Sequence, residues 1–167
     1  TDGYGANTVD NVKTWVDARI SIEASDTNFV NAADSSHTFT VTVEKDLGDG
    51  AGFVGASGVT VTPSETGVGT LQGTGTCETG VTDDDGQCTI VVDSTATGQS
   101  TVHASATVNV LGVDIDVATD GYGANTVDNV KTWVDARISI EASDTNFVNA
   151  ADSVSYTHLR AHETVLD

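Results

Sequence analysis

Cys77 and Cys88 are the two cysteines of the chain, and they bracket the loop CETGVTDDDGQC. Two thiols are too few for a closed zinc site, which takes four ligands, and too widely spaced for a C-x-x-C redox pair. Flanking a turn-rich loop, they are expected to form a hairpin disulfide, a bond of oxidising compartments. Closing a loop of this size is worth on the order of 3 kcal/mol in the chain-entropy account. Asp83, Asp84 and Asp85 precede Gly86. A calcium loop of the EF-hand kind needs acids at alternate positions and a Glu six places past the glycine, where this chain has Val92, so that motif fails. Asp114, Asp116, Asp120 and Asp128 gather in sequence where one stretch of the chain begins again. Hard oxygen ligands of this type suit calcium, which there would stiffen a joint between units; no other cofactor is expected. His37 and His103 lack any G-x-S-x-G or similar nucleophile context, and His103 falls on the polar phase of its segment. Acids are abundant enough that a pair suited to glycoside hydrolysis arises by chance. No catalytic residue is assigned and the chain is not expected to be an enzyme. His158 and His162 stand four apart, as a helical zinc pair would.

The elements that would position these groups are organised by a duplication. Residues 1–35 and 119–153 are identical, an offset of 118 residues. A fixed period of domain length marks a tandem array. Within the repeated stretch, residues 12–24 alternate. Val12, Thr14, Val16, Ala18, Ile20, Ile22 and Ala24 form one phase, and Lys13, Trp15, Asp17, Arg19, Ser21 and Glu23 the other. This is a strand pattern with no Pro or Gly. Flexible linkers are rich in Gly and Ser. A stiff joint is therefore expected around residues 15–18 and again around 133–136, with Trp15 filling the seam between units. Lys13 and Lys45 both fall on polar phases, which argues against an inward lysine able to form an intramolecular amide bond.

Other segments alternate in the same way: Phe39, Val41 and Val43; Cys88, Ile90 and Val92; Val102, Ala104, Ala106, Val108 and Val110; Val113, Ile115 and Val117. Residues 53–54 and 59–62 read as a broken strand ended by Pro63, and residues 67–75 as a short edge strand. Residues 25–37 read as a polar connector, and residues 127–135 as the closing strand. LGDGAG at 47–52 and GYGAN at 3–7 and 121–125 are turns, since no helix follows to make a phosphate cradle of them. Seven to nine strands without a helical stretch predict an all-β, antiparallel β-sandwich. Thr and Val, abundant here, fit a pleated surface.

Twenty-five acidic residues against six basic ones give a net charge of −19. Such a surface repels phosphates and anionic lipid, so nucleic acid is excluded as a partner. No apolar run is long enough to insert in a membrane.

The runs VTVTPSETGVGTL, VTDDDGQCTIVV and TATGQSTVHASATV, within residues 59–108, resemble the bacterial immunoglobulin-like repeat domains of invasin- and intimin-type surface proteins. Thr82, Asp83, Gly86, Thr89 and Ile90 match that family's T-D-x-x-G-x-x-T-hydrophobic hairpin, and Gly98, Thr101 and Val102 its last-strand pattern. The cysteine pair and the unit length depart from the family. The resemblance implies an immunoglobulin-like β-sandwich in a tandem array at the bacterial cell surface or secreted. It also implies a non-catalytic stalk or spacer role in adhesion, with neighbouring repeats and an unidentified receptor or glycan as partners. An accessory or carbohydrate-binding module of a secreted polysaccharide-active enzyme is the alternative, which a row of exposed aromatics would favour. Residues 154–164 resemble a translated sequencing adapter of the kind seen in metagenomic assemblies, so 154–167 are set aside as a non-native tail, with His158 and His162. The expected organisation is then residues 1–16 as the closing strand of a preceding unit, 17–135 as a complete sandwich, and 136–153 as the opening strand of the next.

Overall fold

The structure is a computed structural model that describes residues 11–30 and 36–143. The remaining parts of the two copies, the tail at 154–167 and the GYGAN turn at 3–7 lie outside the described residues. The alternating segments become strands for the expected reason: β-branched residues on one phase can pack while Thr, Ser and Asp on the other meet water. In chain order they are β1 (Asp17–Ile22), β2 (Thr27–Phe29), β3 (His37–Asp46), β4 (Phe53–Gly55), β5 (Val61–Gly67) and β6 (Thr70–Leu71). After the single described helix α1 (Thr76–Thr79) come β7 (Gln87–Asp93), β8 (Gly98–Val110), β9 (Val113–Ala118) and β10 (Asn129–Val134).

These form two sheets. In the first the order is β1-β3-β7-β6, with β4 also on β3; in the second it is β2-β10-β8-β5, with β9 also on β8. Every described pairing is antiparallel except that of β10 with β2, which is parallel. Ile20, Phe39, Val41, Val43, Ile90 and Val92 of the first sheet face Val61, Val102, Ala104, Val108, Val110 and Trp133 of the second across one core. The chain is therefore an all-β sandwich. The outer edge of β1 is closed rather than bare. Ile20 N donates to Asn125 Oδ1 and Ile22 N to Thr126 Oγ1, both at 3.0 Å, and Thr126 N returns a bond to Ile20 O at 3.1 Å. The second copy of the GYGAN turn thus covers an edge that would otherwise invite pairing.

Several sequence expectations change in the folded chain. Neither copy of the 12–24 pattern is one continuous strand: residues 11–16 carry no strand, and β1 starts at Asp17. The closing strand is shorter than residues 127–135, and its inward phase is the one read as polar, since Asn129, Lys131 and Trp133 are buried. Trp133 lies in the core of its own sandwich and not in a seam, at 1% exposure, whereas Trp15 is 79% exposed. Pro63 sits inside β5 opposite Ala104; β5 is an edge strand, where the missing N–H is tolerated. The connector at 25–37 contains β2. Residues 137–143 carry neither helix nor strand, and Ile138 and Ile140 among them are 99% and 96% exposed.

Candidate functional site

The hairpin motif residues are accounted for by local structure. The Thr82 hydroxyl donates to Ala56 O at 2.5 Å and accepts from Val59 N at 2.9 Å, tying the 56–59 turn to the 82–87 loop. Asp83 Oδ1 accepts from Asp85 N at 3.0 Å and Gln87 N at 2.8 Å, an Asx arrangement that spends this carboxylate on its own backbone. Gly86 has φ of 78°, and a Cβ there would meet Val43 O at 2.2 Å, so two separate constraints demand glycine. Cys77 and Cys88 are bonded. The link is not a β-hairpin disulfide: Cys77 lies on α1 and Cys88 on β7, both buried. It pins the helix over the core edge, where a four-residue helix has too few internal hydrogen bonds to hold itself.

A buried polar network is built on β10. Lys131 is wholly buried, the second copy of an exposed residue, Lys13. Its Nζ donates to Asp26 Oδ2 at 3.2 Å and to His37 Nδ1 at 3.0 Å, and lies 5.9 Å from the Phe39 ring. An ammonium only donates, so Nδ1 of His37 accepts, and Nε2 carries the proton given to Glu23 Oε1 at 2.7 Å. Glu23 Oε2 accepts from Thr40 N at 3.1 Å, and Glu23 O accepts from Asn129 Nδ2 at 2.6 Å. Trp133 Nε1 donates to Ser100 Oγ at 3.0 Å. Each inward polar group of β10 thus has a partner, which is what permits polar residues in a core; Asn129 Oδ1 alone lacks one among the described residues. Asp26 is held below the ordinary aspartate value of 3.8, first by the Thr27 amide and then by Lys131. On the outer face of the first sheet Arg19 Nε donates to Glu44 Oε2 at 2.6 Å, a bond that raises the Arg19 pKa.

His103 Nδ1 stands 2.7 Å from Asp128 Oδ1 and 3.3 Å from Thr119 Oγ1, while Thr119 Oγ1 donates to Asp128 Oδ1 at 2.5 Å. A nucleophile relay places the acid on one ring nitrogen and the hydroxyl on the other. Both groups here meet the same nitrogen, so this trio clamps β8 to the 119–128 segment and does not activate the hydroxyl. The four acids singled out for calcium have separate engagements. Asp114 Oδ1 accepts from Asn109 at 2.6 Å, Asp116 Oδ1 from Thr107 at 2.7 Å, and Asp120 Oδ1 from Tyr122 N at 2.8 Å, while Asp128 belongs to His103. Among the described residues no three His, Cys, Asp or Glu side chains converge as a metal site would require, and no helix is long and apolar enough to cross a membrane. An open groove over β5, β8 and β9 is lined by Thr62, Ser105, Thr107, Asp116, Tyr122 and Asn125, among others.

No protein-family model matches the chain, and no curated protein matches it. Among solved structures it is similar to the crystal structure of domains 4 and 5 of the S-layer protein SbsC, with a TM-score of 0.37 and 16% identity. The match covers 69% of this chain and 50% of that one, so the chain spans about half the length of the structure it matches.

Proposed function

We propose that the chain is a non-catalytic structural repeat of the immunoglobulin-like kind, a stalk or spacer segment of a secreted or surface-anchored bacterial protein of adhesin type. The observation that carries the reading is a coincidence of lengths. The sequence repeats with an offset of 118 residues, and the span from the start of β1 at Asp17 to the end of β10 at Val134 is that same number. One period therefore supplies one sandwich, and the next opening strand follows the closing strand with no Gly- or Ser-rich spacer to bend. The Cys77–Cys88 disulfide favours an oxidising compartment, and the strong negative charge discourages side-by-side association. Small-angle scattering from proteins carrying one, two and three copies of residues 17–134 tests the role. The maximum dimension is expected to rise in equal steps with each copy. Compact particles, or dimensions growing as a flexible chain would, refute it.

A glycan-binding module is the second reading, favoured by the groove in which the exposed Tyr122 stands among hydroxyl and amide side chains. Affinity electrophoresis against soluble polysaccharides, with Tyr122→Ala as the control, separates the two: retardation abolished by that change supports the module, and none leaves the stalk.

A further inference from the structure

The stretch that occurs first as residues 11–22 and again as 129–140 supplies β1 from one copy and β10 from the other, and its two edges keep one assignment in both. In β10, Thr132 N donates to Asp26 O at 3.0 Å and Val134 O accepts from Val30 N at 2.9 Å, so the even residues face the β2 side. Lys131 and Trp133 hold the other edge, opposite Ser100 and Gly98 of β8. In β1 the amides of Ile20 and Ile22 go to Asn125 and Thr126, which leaves the odd residues the edge toward β3. Side chains divide the other way: β10 buries its odd residues and β1 its even ones. A strand that closes one repeat and opens the next can therefore give opposite faces to the two cores, while its odd edge passes from β8 of the first to β3 of the second.

The surface that meets this strand beyond β3 is the LGDGAG turn. Gly48 has φ of 69°, and a Cβ there would run into the Trp15 carbonyl oxygen and the Thr14 methyl group, so the main chain of residues 14–15 lies directly on the turn. The turn holds its own shape: Asp46 Oδ1 accepts from Gly48 N at 2.8 Å and Asp49 Oδ1 from Ala51 N at 2.9 Å. The Trp15 side chain is meanwhile 79% exposed, open to the place its second copy takes in a core beside Ser100. We propose that the turn at 47–52 is a docking surface for the preceding repeat of the same chain, whose closing strand lies across it with the Trp15 main chain on Gly48 and the Trp15 side chain in the preceding core.

The same residue then carries both contacts. Trp133 stands opposite Gly98 at the start of β8, and its first copy, Trp15, lies on Gly48. The turn of the later repeat thus abuts the start of β8 in the earlier one, and both are glycine, which lets two backbones approach one strand edge closely. The change of core is marked alike in the two copies: Asp17 Oδ1 accepts from Ala18 N and Asp135 Oδ1 from Ala136 N, each at 2.8 Å. A joint held at the strand and again at the turn has little freedom to bend, which a spacerless connection alone does not ensure. This inference rests on the stalk reading and adds to it which surfaces of neighbouring repeats meet.

The test uses the full chain lengthened by one period, so that residues 17–134 occur twice in succession. Ser64, exposed on β5, is changed to cysteine in both repeats and labelled with nitroxides, and pulsed dipolar spectroscopy reads the distance between them. One narrow distance distribution is expected. Gly48→Ala in the later repeat should widen it about twofold, because the added methyl pushes the shared strand off the turn. Gly50→Ala is the matched control: its φ is 87° and nothing lies within 4 Å of a Cβ there, so it carries a similar backbone strain without the contact and should leave the distribution narrow. A broad distribution in the parent, or the same response to both substitutions, overturns the docking. The stalk is read separately, from scattering by unsubstituted copies, so equal steps there together with an unresponsive Gly48 refute the docking alone.

Discussion

Residues 11–22 and 129–140 are one sequence used twice, and the sandwich takes the opposite half of each copy. From the first it folds Asp17–Ile22 as β1 and leaves residues 11–16 outside any strand; from the second it folds Asn129–Val134 as β10 and leaves residues 137–140 exposed. The two folded halves also bury opposite phases of the alternation. β1 turns Ala18, Ile20 and Ile22 inward, while β10 turns Asn129, Lys131 and Trp133 inward. A strand's buried face is set by the layer it joins, and the parity of the pattern changes where the chain passes from one sheet's role to the other's. β10 can bury its polar phase because Glu23, Asp26, His37 and Ser100 stand ready for it.

Paired substitutions test that contrast directly. The largest gap is expected between the tryptophans. Trp133→Ala removes a core side chain and should cost about 3–5 kcal/mol, while Trp15→Ala, at an exposed position, should stay within about 0.5 kcal/mol; denaturant melts of the two variants give the comparison. Ile20→Ala should cost about 2–5 kcal/mol and Ile138→Ala almost nothing, by the same measurement. Lys131→Ala should cost about 1–3 kcal/mol by stranding His37 Nδ1 in the interior. Lys131→Met, which fills the volume but gives His37 Nδ1 no donor, should keep that cost and spare only the additional cavity left by Ala, and Lys13→Ala should be silent.

The acid limb of stability should depend on Asp26. Its folded pKa lies below the ordinary 3.8, so its contribution is complete above that value and is lost as pH falls through the folded one. Thermal melts followed downward from neutral pH should show a shallower acid decline in Asp26→Asn; an unchanged decline would mean that Lys131 gains nothing from this carboxylate. The smallest effect is expected at the two-residue turn between β8 and β9. Leu111 there has a left-handed φ of 52°, and Leu111→Asn should raise stability by up to about 1 kcal/mol.

Much of the sandwich was legible because the inward residues of β3, β7 and β8 alternate with Thr and Ser, and the T-D-x-x-G loop announces a structural turn through Thr82, Asp83 and Gly86. The parity of β10 was not legible: Asn129 and Lys131 read as solvent-facing until their partners, about a hundred residues away, are placed beside them. β2 was missed because three residues held by parallel backbone pairing to β10 carry no alternation. The disulfide partners could be named, but a four-residue helix leaves no periodic trace, so a helix-to-strand link read as a hairpin. The acids at 114, 116, 120 and 128 were grouped by their nearness in sequence; their hydrogen-bond partners, an Asn, a Thr, a turn amide and a His, become visible only in the folded chain.

Collisional quenching by acrylamide in two single-tryptophan chains reads the two fates most directly. With Trp15→Phe the remaining Trp133 should emit to the blue and resist the quencher; with Trp133→Phe the remaining Trp15 should emit to the red and be quenched like a free indole. Equal quenching in the two chains, or protection of Trp15 instead, would contradict the assignment of one sequence to a core strand in its second copy and to solvent in its first.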